Sequence, residues 1–178
     1  MKTAVIYKSV SGFTKNYAEW IAEELDGDLF AYHEADPAVL QAYNMIIFGG
    51  ALHAVGIAGI DIIKDNIEKL QGKNIIVFTT GASPARDGIL EEVKNRNFSP
   101  EEQKRIRFFY LRGGFDYGKL NFVNKLLMTL MKWKIRSKKE SDRTPDERGM
   151  LAAFSRPVDF TKKEKTGELI AYARSVGA

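Results

Sequence analysis

The chain has 178 residues, 44% of them hydrophobic, which suits one domain with a substantial core. It has no cysteine and two histidines, His33 and His53, which excludes a disulfide framework, thiol chemistry and Cys-based or multi-histidine metal centres. A formal charge of +4 points to an anionic partner of unspecified kind. The apolar run Ala4 to Tyr7 is too short for a secretory signal, and no uninterrupted apolar segment reaches bilayer length. The expected location is the cytoplasm.

Thr3 to Tyr7 is apolar and β-branched and reads as a buried strand. It runs through Lys8 into Ser9-Val10-Ser11-Gly12-Phe13-Thr14. A helical pattern follows, with Ala18, Ile21, Ala22 and Leu25 on one face. The unpaired N–H groups and partial positive charge of a helix N-terminus favour an anion, and three hydroxyls with a glycine suit a phosphate monoester. The same hexapeptide also reads as a simple cap, with Thr14 as N-cap. A Walker loop is excluded because Phe13 stands where its lysine belongs. The dinucleotide fingerprint is excluded because only Gly12 is present.

Gly27 is a C-cap candidate for this helix. Asp28 to His33 reads as a second strand, and Asp36-Pro37 opens a helical turn. Met45 to Phe48 is a third strand, ending in Gly49-Gly50 and a loop from Ala51 to Gly59. Ile60, Ile63, Ile67 and Leu70 mark one face of a helix. Asn74 to Phe78 is a fourth strand, followed by Thr79-Thr80-Gly81-Ala82-Ser83-Pro84. A polar helix spans Asp87 to Asn95, and Ser99-Pro100-Glu101-Glu102 is a capping-box sequence. Ile106 to Leu111 is a fifth strand, ending in Gly113-Gly114. The closing helix is expected over Thr161 to Val176, opened by Thr161-Lys-Lys-Glu164.

Strand and helix alternate, and strands apolar on both faces belong in a parallel sheet covered by helices. The expectation is an α/β single domain over 1–178, doubly wound with strand order 2-1-3-4-5 and a ligand site beyond the carboxyl ends of the strands. Three loops meet at that edge: Ser9 to Thr14, Gly49 to Gly59 and Thr79 to Arg86. Their convergence favours the phosphate-loop reading over the simple cap. A response regulator shares the topology but needs an Asp at the end of strand three, where this chain has Phe48-Gly49-Gly50.

A helical insertion, about 115–157, separates strand five from the closing helix. Lys119 to Lys139 contains seven Lys/Arg and no acidic residue. Leu120, Val123, Leu127, Leu130 and Met131 fall near one face, widened by Phe122, Leu126 and Trp133. Asn121, Lys125, Lys132 and Arg136 lie opposite. This basic amphipathic helix either packs on its own domain or lies on an anionic membrane with Trp133 at the interface. The second case places the protein peripherally, on the inner face of the membrane. No nucleic-acid recognition motif is present. Ser137 to Arg148 is polar and is expected as a mobile loop.

Ser9 to Thr14 resembles the phosphate loop of flavodoxins, which bind FMN; the family pattern is hydroxyl, any residue, hydroxyl, Gly, any residue, Thr. The resemblance covers Met1 to about Gly114 and the last helix. Gly113-Gly114-Phe-Asp-Tyr-Gly-Lys, followed by an apolar-basic helix, resembles the flavodoxin-like menaquinone-dependent protoporphyrinogen dehydrogenases. Gly49-Gly50-Ala51-Leu52-His53 resembles that family's Gly-Ala-Ser-Ile-Arg loop, with His53 in place of the arginine.

The resemblance implies FMN, with phosphate contacts from Ser9, Val10, Ser11, Gly12, Phe13 and Thr14. Gly50, Ala51, Leu52, His53, Thr80, Gly81, Ala82 and Ser83 would line the flavin ring. Lys15 either adds charge at the phosphate or is merely exposed. Tyr117 either covers one ring face or packs within the insertion. His53 is a candidate hydrogen-bond partner or proton relay, or else a surface histidine; histidine is the side chain that exchanges protons near neutral pH. Asp116 either accepts a substrate proton or caps a turn. His33 reads as structural.

Two functions fit. The first is an FMN-dependent oxidoreductase at the membrane surface, taking a flat tetrapyrrole or quinone. The second is a soluble flavodoxin handing electrons to redox proteins. The basic charge and the insertion favour the first.

Overall fold

The computed structural model describes residues 1–53, 56–120 and 122–177. Asn121, expected on the polar face of the insertion helix, lies outside them, as do positions 54 and 55 of the Gly49 to Gly59 loop. Five parallel strands form the sheet: β1 (Thr3–Lys8), β2 (Asp28–Ala31), β3 (Met45–His53), β5 (Asn74–Gly81) and β6 (Ile106–Arg112). Their order is β2-β1-β3-β5-β6, the doubly wound order expected. A two-residue strand β4 (Gly56–Ile57) pairs antiparallel with β3, Leu52 opposite Ile57. The expected Ala51 to Gly59 loop is therefore largely a hairpin that prolongs β3 to His53.

The sheet is covered on both faces because its strands alternate two apolar sets. Ala4, Ile6, Ile46, Phe48, Ile75 and Val77 pack against α3 (Asp61–Lys64) and α4 (Ile89–Asn97) through Ile62, Ile63 and Val93. Val5, Ile47, Ile76, Phe78 and Phe109 pack against α1 (Phe13–Leu25) and the closing helix through Tyr17, Ile21, Leu169 and Ala173. Full burial of such side chains contributes about 1.5–3 kcal/mol each.

Several helices differ from expectation for local reasons. Ile60 to Leu70 yields only one α-helical turn, α3. The Asn66 side-chain amide takes the Ile62 carbonyl, and the Asn66 backbone N–H turns to Ile63. That is the known competition of a short amide with its own helix. Ile63, Ile67 and Leu70 stay buried all the same. Helix α1 ends on Asp26, left-handed at φ 48°, rather than on Gly27. Helix α2 (Pro37–Leu40) has the expected Asp36 cap, and α5 (Pro100–Gln103) the expected Ser99/Glu102 capping box.

The insertion leaves and re-enters the sheet through a ribbon. Strand β7 (Gly114–Phe115) pairs antiparallel with β8 (Val158–Asp159). Between them lie α6 (Phe122–Arg136) and α7 (Pro145–Ala153). Ser137 to Arg148, expected as a mobile loop, carries local structure. Thr144 and Glu147 form a full capping box on α7, and Lys138 pairs with Glu147 at 2.6 Å. The Arg143 guanidinium donates to the Ile135, Arg136 and Lys138 carbonyls at the end of α6. The closing helix α8 spans Gly167–Val176, shorter than expected, because the Thr161 N–H and hydroxyl both donate to Asp159 instead of capping a helix. Among the described residues no helix is long and apolar enough to cross a membrane.

Candidate functional site

The parallel sheet delivers three loops to one edge, and a cleft of about 650 Å3 opens there. That volume lies within the roughly 300–1,000 Å3 of small-molecule sites. Its floor is the turn from β1 to α1. Gly12 is left-handed at φ 95°, a conformation that costs a side-chain-bearing residue, and it starts the helix without a side-chain cap. Thr14 is thus not the N-cap. It lies inside the helix, buried, with its hydroxyl 2.7 Å from the Thr80 hydroxyl at the end of β5. This pair fastens the first loop to the third. The Ser9 hydroxyl accepts the Gly12 N–H at 3.1 Å.

Ser9, Val10, Ser11, Phe13 and Thr14 line the cleft, with Ala51, Leu52 and His53 on one side and Thr80, Gly81, Ala82 and Ser83 on another. Gly50 does not line it. Gly50 lies one layer down, where a Cβ would fall 2.5 Å from Ile57 Cγ2 and 2.6 Å from the Ala58 carbonyl oxygen. Its role is to let the β3–β4 hairpin close against the sheet.

The third loop is gripped from the strand beside it. Tyr110 donates its phenol to the Ser83 carbonyl at 2.7 Å, and Arg112 donates Nε to the Ala82 carbonyl at 3.1 Å. The Arg112 guanidinium stacks 3.6 Å from the Phe160 ring centroid. Burial pushes the Tyr110 phenol above its ordinary range; the Arg112 charge opposes this and the Asp146 charge adds to it. Tyr17, fully buried on α1, donates to the Arg112 carbonyl at 2.8 Å, and burial raises its phenol as well. One arginine therefore links the helix that follows the floor, the third loop and the return from the insertion.

Two expected site residues are turned elsewhere. Tyr117 does not lie over the cleft: its hydroxyl is 2.8 Å from Thr129 Oγ1 and its ring centroid 5.3 Å from that of Phe154. Phe115 also meets Phe154 edge-on, at 5.4 Å, so these rings pack within the insertion, with Phe115 lining the cleft as well. Asp116 accepts the Gly118 N–H at 2.9 Å and lies 3.9 Å from Lys119 Nζ, which makes it a turn cap. Lys15 pairs with Glu19 at 3.5 Å, away from the floor. His33 is exposed, 4.0 Å from Glu34. His53 stays at the rim, on the last residue of β3.

Sequence reasoning missed the far wall. It comes from the insertion: Leu120, Leu127, Met128 and Met131 from the α6 side, Met150 and Asp146 from α7. The signal for α7 was present in Thr144-Pro145-Asp146-Glu147, which has capping-box spacing. Arg86 also lines the cleft, but its guanidinium is held by Glu92 at 2.9 and 2.6 Å, which lowers the Glu92 carboxyl below its usual range.

Helix α6 presents a second apolar surface, to solvent. Phe122, Val123, Leu126, Leu130 and Trp133 are each more than half exposed, up to 82% for Phe122, whereas Ile135 on the opposite side is buried. The helix is thus neither wholly packed on its domain nor free of it.

Known structures resemble this one at low identity. A flavodoxin from the domain Archaea is 20% identical, with a TM-score of 0.41, over 64% of this chain and 85% of that chain. Oxidised flavodoxin 1 from Bacillus cereus is 20% identical, with a TM-score of 0.44, over 63% of this chain and 84% of that chain. Two-electron-reduced flavodoxin from Megasphaera elsdenii is 13% identical, with a TM-score of 0.44, over 61% and 84%. No curated protein matches the chain. The family model for the flavodoxin domain matches residues 4–143, most of the chain, and the protein therefore belongs to the flavodoxin domain family.

Proposed function

We propose that the protein is an FMN-dependent oxidoreductase acting on a flat redox substrate, a tetrapyrrole or a quinone, at an anionic membrane surface. One observation carries the reading. The cleft that begins at the Ser9 to Thr14 turn is closed on its far side by the insertion's Leu127, Met128, Met131 and Met150. A carrier needs only an exposed flavin edge. An added apolar wall facing the cofactor loops serves a second, apolar molecule, and methionine adapts to irregular ring shapes.

The residues present fit FMN. The hydroxyls of Ser9, Ser11 and Thr14, the last one accepting from Thr80 and donating to the ligand, would hold the phosphate with the amides of the first turn of α1, and left-handed Gly12 leaves the backbone open to it. Ala51 to His53 and Thr80 to Ser83 would hold the ring edges. When bound, the flavin supplies the redox chemistry. The chain's own residues bind and orient: Tyr110 and Arg112 fix the third loop, and the α6 and α7 side chains keep water from the substrate face. His53, at the rim, would pass a proton between solvent and that face.

The exposed apolar face of α6, with Lys125, Lys134 and Arg136 on the same helix, suits an anionic lipid surface. The test is anaerobic turnover of FMN-loaded protein with protoporphyrinogen as donor and a naphthoquinone as acceptor. Turnover is expected, and FMN should bind more tightly than riboflavin. Absence of turnover, together with single-electron exchange to a redox protein, would overturn the reading in favour of a carrier.

A further inference from the structure

Strand β6 is the last strand of the sheet, and among the described residues no strand pairs with its outer edge. A groove of about 670 Å3 runs along it, between α4 and α5 on one face of the sheet and α8 on the other; all seven residues of β6 line the groove. An open edge presents a row of backbone donors and acceptors to any extended segment.

The charges along this groove have one sign. Lys94, Lys104, Arg107, Arg112 and Lys165 line it, against the single carboxylate of Glu168. Lys94 is paired with Glu91 at 2.6 Å, and Arg112 is engaged with the Ala82 carbonyl. No carboxylate lies within ion-pair distance of Lys104, Arg107 or Lys165 among the described residues. Of these three, only Arg107 is on the strand; Lys104 caps the end of α5, and Lys165 lies in the turn before α8. Arg107 projects to the α8 side, over the Phe109 and Tyr172 rings, and Lys165 lines that side as well. Lys104, from the turn after α5, lines the opposite side. An added strand would thus meet a cation whichever way its alternate side chains point.

We propose that the β6 edge binds an extended acidic peptide segment of a partner protein by strand addition, its backbone pairing with β6 and its carboxylates meeting Lys104, Arg107 and Lys165. A second copy of the chain fits worse, because it would bring an edge with the same excess of positive charge.

The probe is a fluorescein-labelled peptide of alternating Glu and Val, titrated against the 178-residue protein by anisotropy at low and high salt. Saturable binding is expected, weakened at least tenfold by Lys104→Glu with Arg107→Glu and Lys165→Glu. Methylation of alternate backbone nitrogens on the peptide should abolish binding in one register, and the bound peptide should slow hydrogen exchange of β6 amides. Equal binding of the methylated peptide would overturn strand addition and leave only charge attraction. No binding would overturn the proposal outright, as would sedimentation showing a dimer that buries β6.

Discussion

The hydroxyl pair Thr14–Thr80 gives a test with a sign as well as a size. Thr14 is 1% exposed and Thr80 5%, and their oxygens lie 2.7 Å apart. A typical hydrogen bond contributes about 0.5–1.5 kcal/mol net, but a buried hydroxyl stripped of its partner costs roughly 1–3 kcal/mol. Thr14→Val leaves the Thr80 hydroxyl so stripped, and Thr80→Val does the same to Thr14. Each single variant should lose about 1–3 kcal/mol of stability. The double variant removes both polar groups and should lose less than the sum, because replacing both partners by apolar groups is nearly neutral. Thr14→Ser keeps the hydroxyl and should lose least. Chemical denaturation followed by circular dichroism measures all four. FMN titration adds a second axis. Thr14→Val should weaken FMN about tenfold or more, one decade per 1.4 kcal/mol, and leave riboflavin much less affected. Additive stability losses would refute the pairing. Equal loss of FMN and riboflavin would refute the phosphate role.

Four further outcomes are expected. Tyr43 is raised to about 12 by burial and by its bond to Asp28, so its proton is held more tightly folded than unfolded; stability should decline as pH rises from about 10 to about 12, and Tyr43→Phe should flatten that decline in alkaline melts. His53→Ala should slow turnover about 10²–10⁴-fold and change its pH profile while FMN affinity holds, as measured by stopped flow against titration. Trp133, 64% exposed, should shift its fluorescence to the blue on anionic vesicles at low salt, and reversal of Lys125, Lys134 and Arg136 should remove the shift, each charge being worth roughly 1 kcal/mol at such a surface. Gly49→Ala should destabilise by about 1–3 kcal/mol in thermal melts, since its Cβ would fall 2.1 Å from Phe78 Cζ.

The sheet was legible in the sequence because its signals are local and repeated. Strands β1, β3 and β5 are rich in β-branched residues, these and β6 run into glycine or hydroxyl turns, and the alternation of strand and helix leaves few topologies. The three loops of the cleft followed from that order. What the sequence obscured depends on single side chains choosing between partners. Nothing in Ile60 to Leu70 says that the Asn66 amide will take the Ile62 carbonyl. Tyr117 looked available because Phe154, whose ring meets it, comes from nearly forty positions away, whereas Asp116 is taken locally by the Gly118 N–H. The amphipathic pattern of α6 marked its faces but not which would meet the cleft. The structure divides them: Met128 and Met131 face the site, and Phe122, Leu126 and Trp133 face outward.

The ribbon of β7 and β8 has a consequence for how such a chain changes over time. Gly114 and Asp159 sit side by side, about one strand spacing apart. Everything between them hangs from adjacent points, so lengthening, shortening or exchanging that segment imposes little loop-closure cost on the sheet. On the function proposed above, the loops that would hold the cofactor and the wall that would meet the substrate can therefore be altered independently. A cassette from another family member, joined at these two residues, would carry a new specificity onto an unchanged redox base.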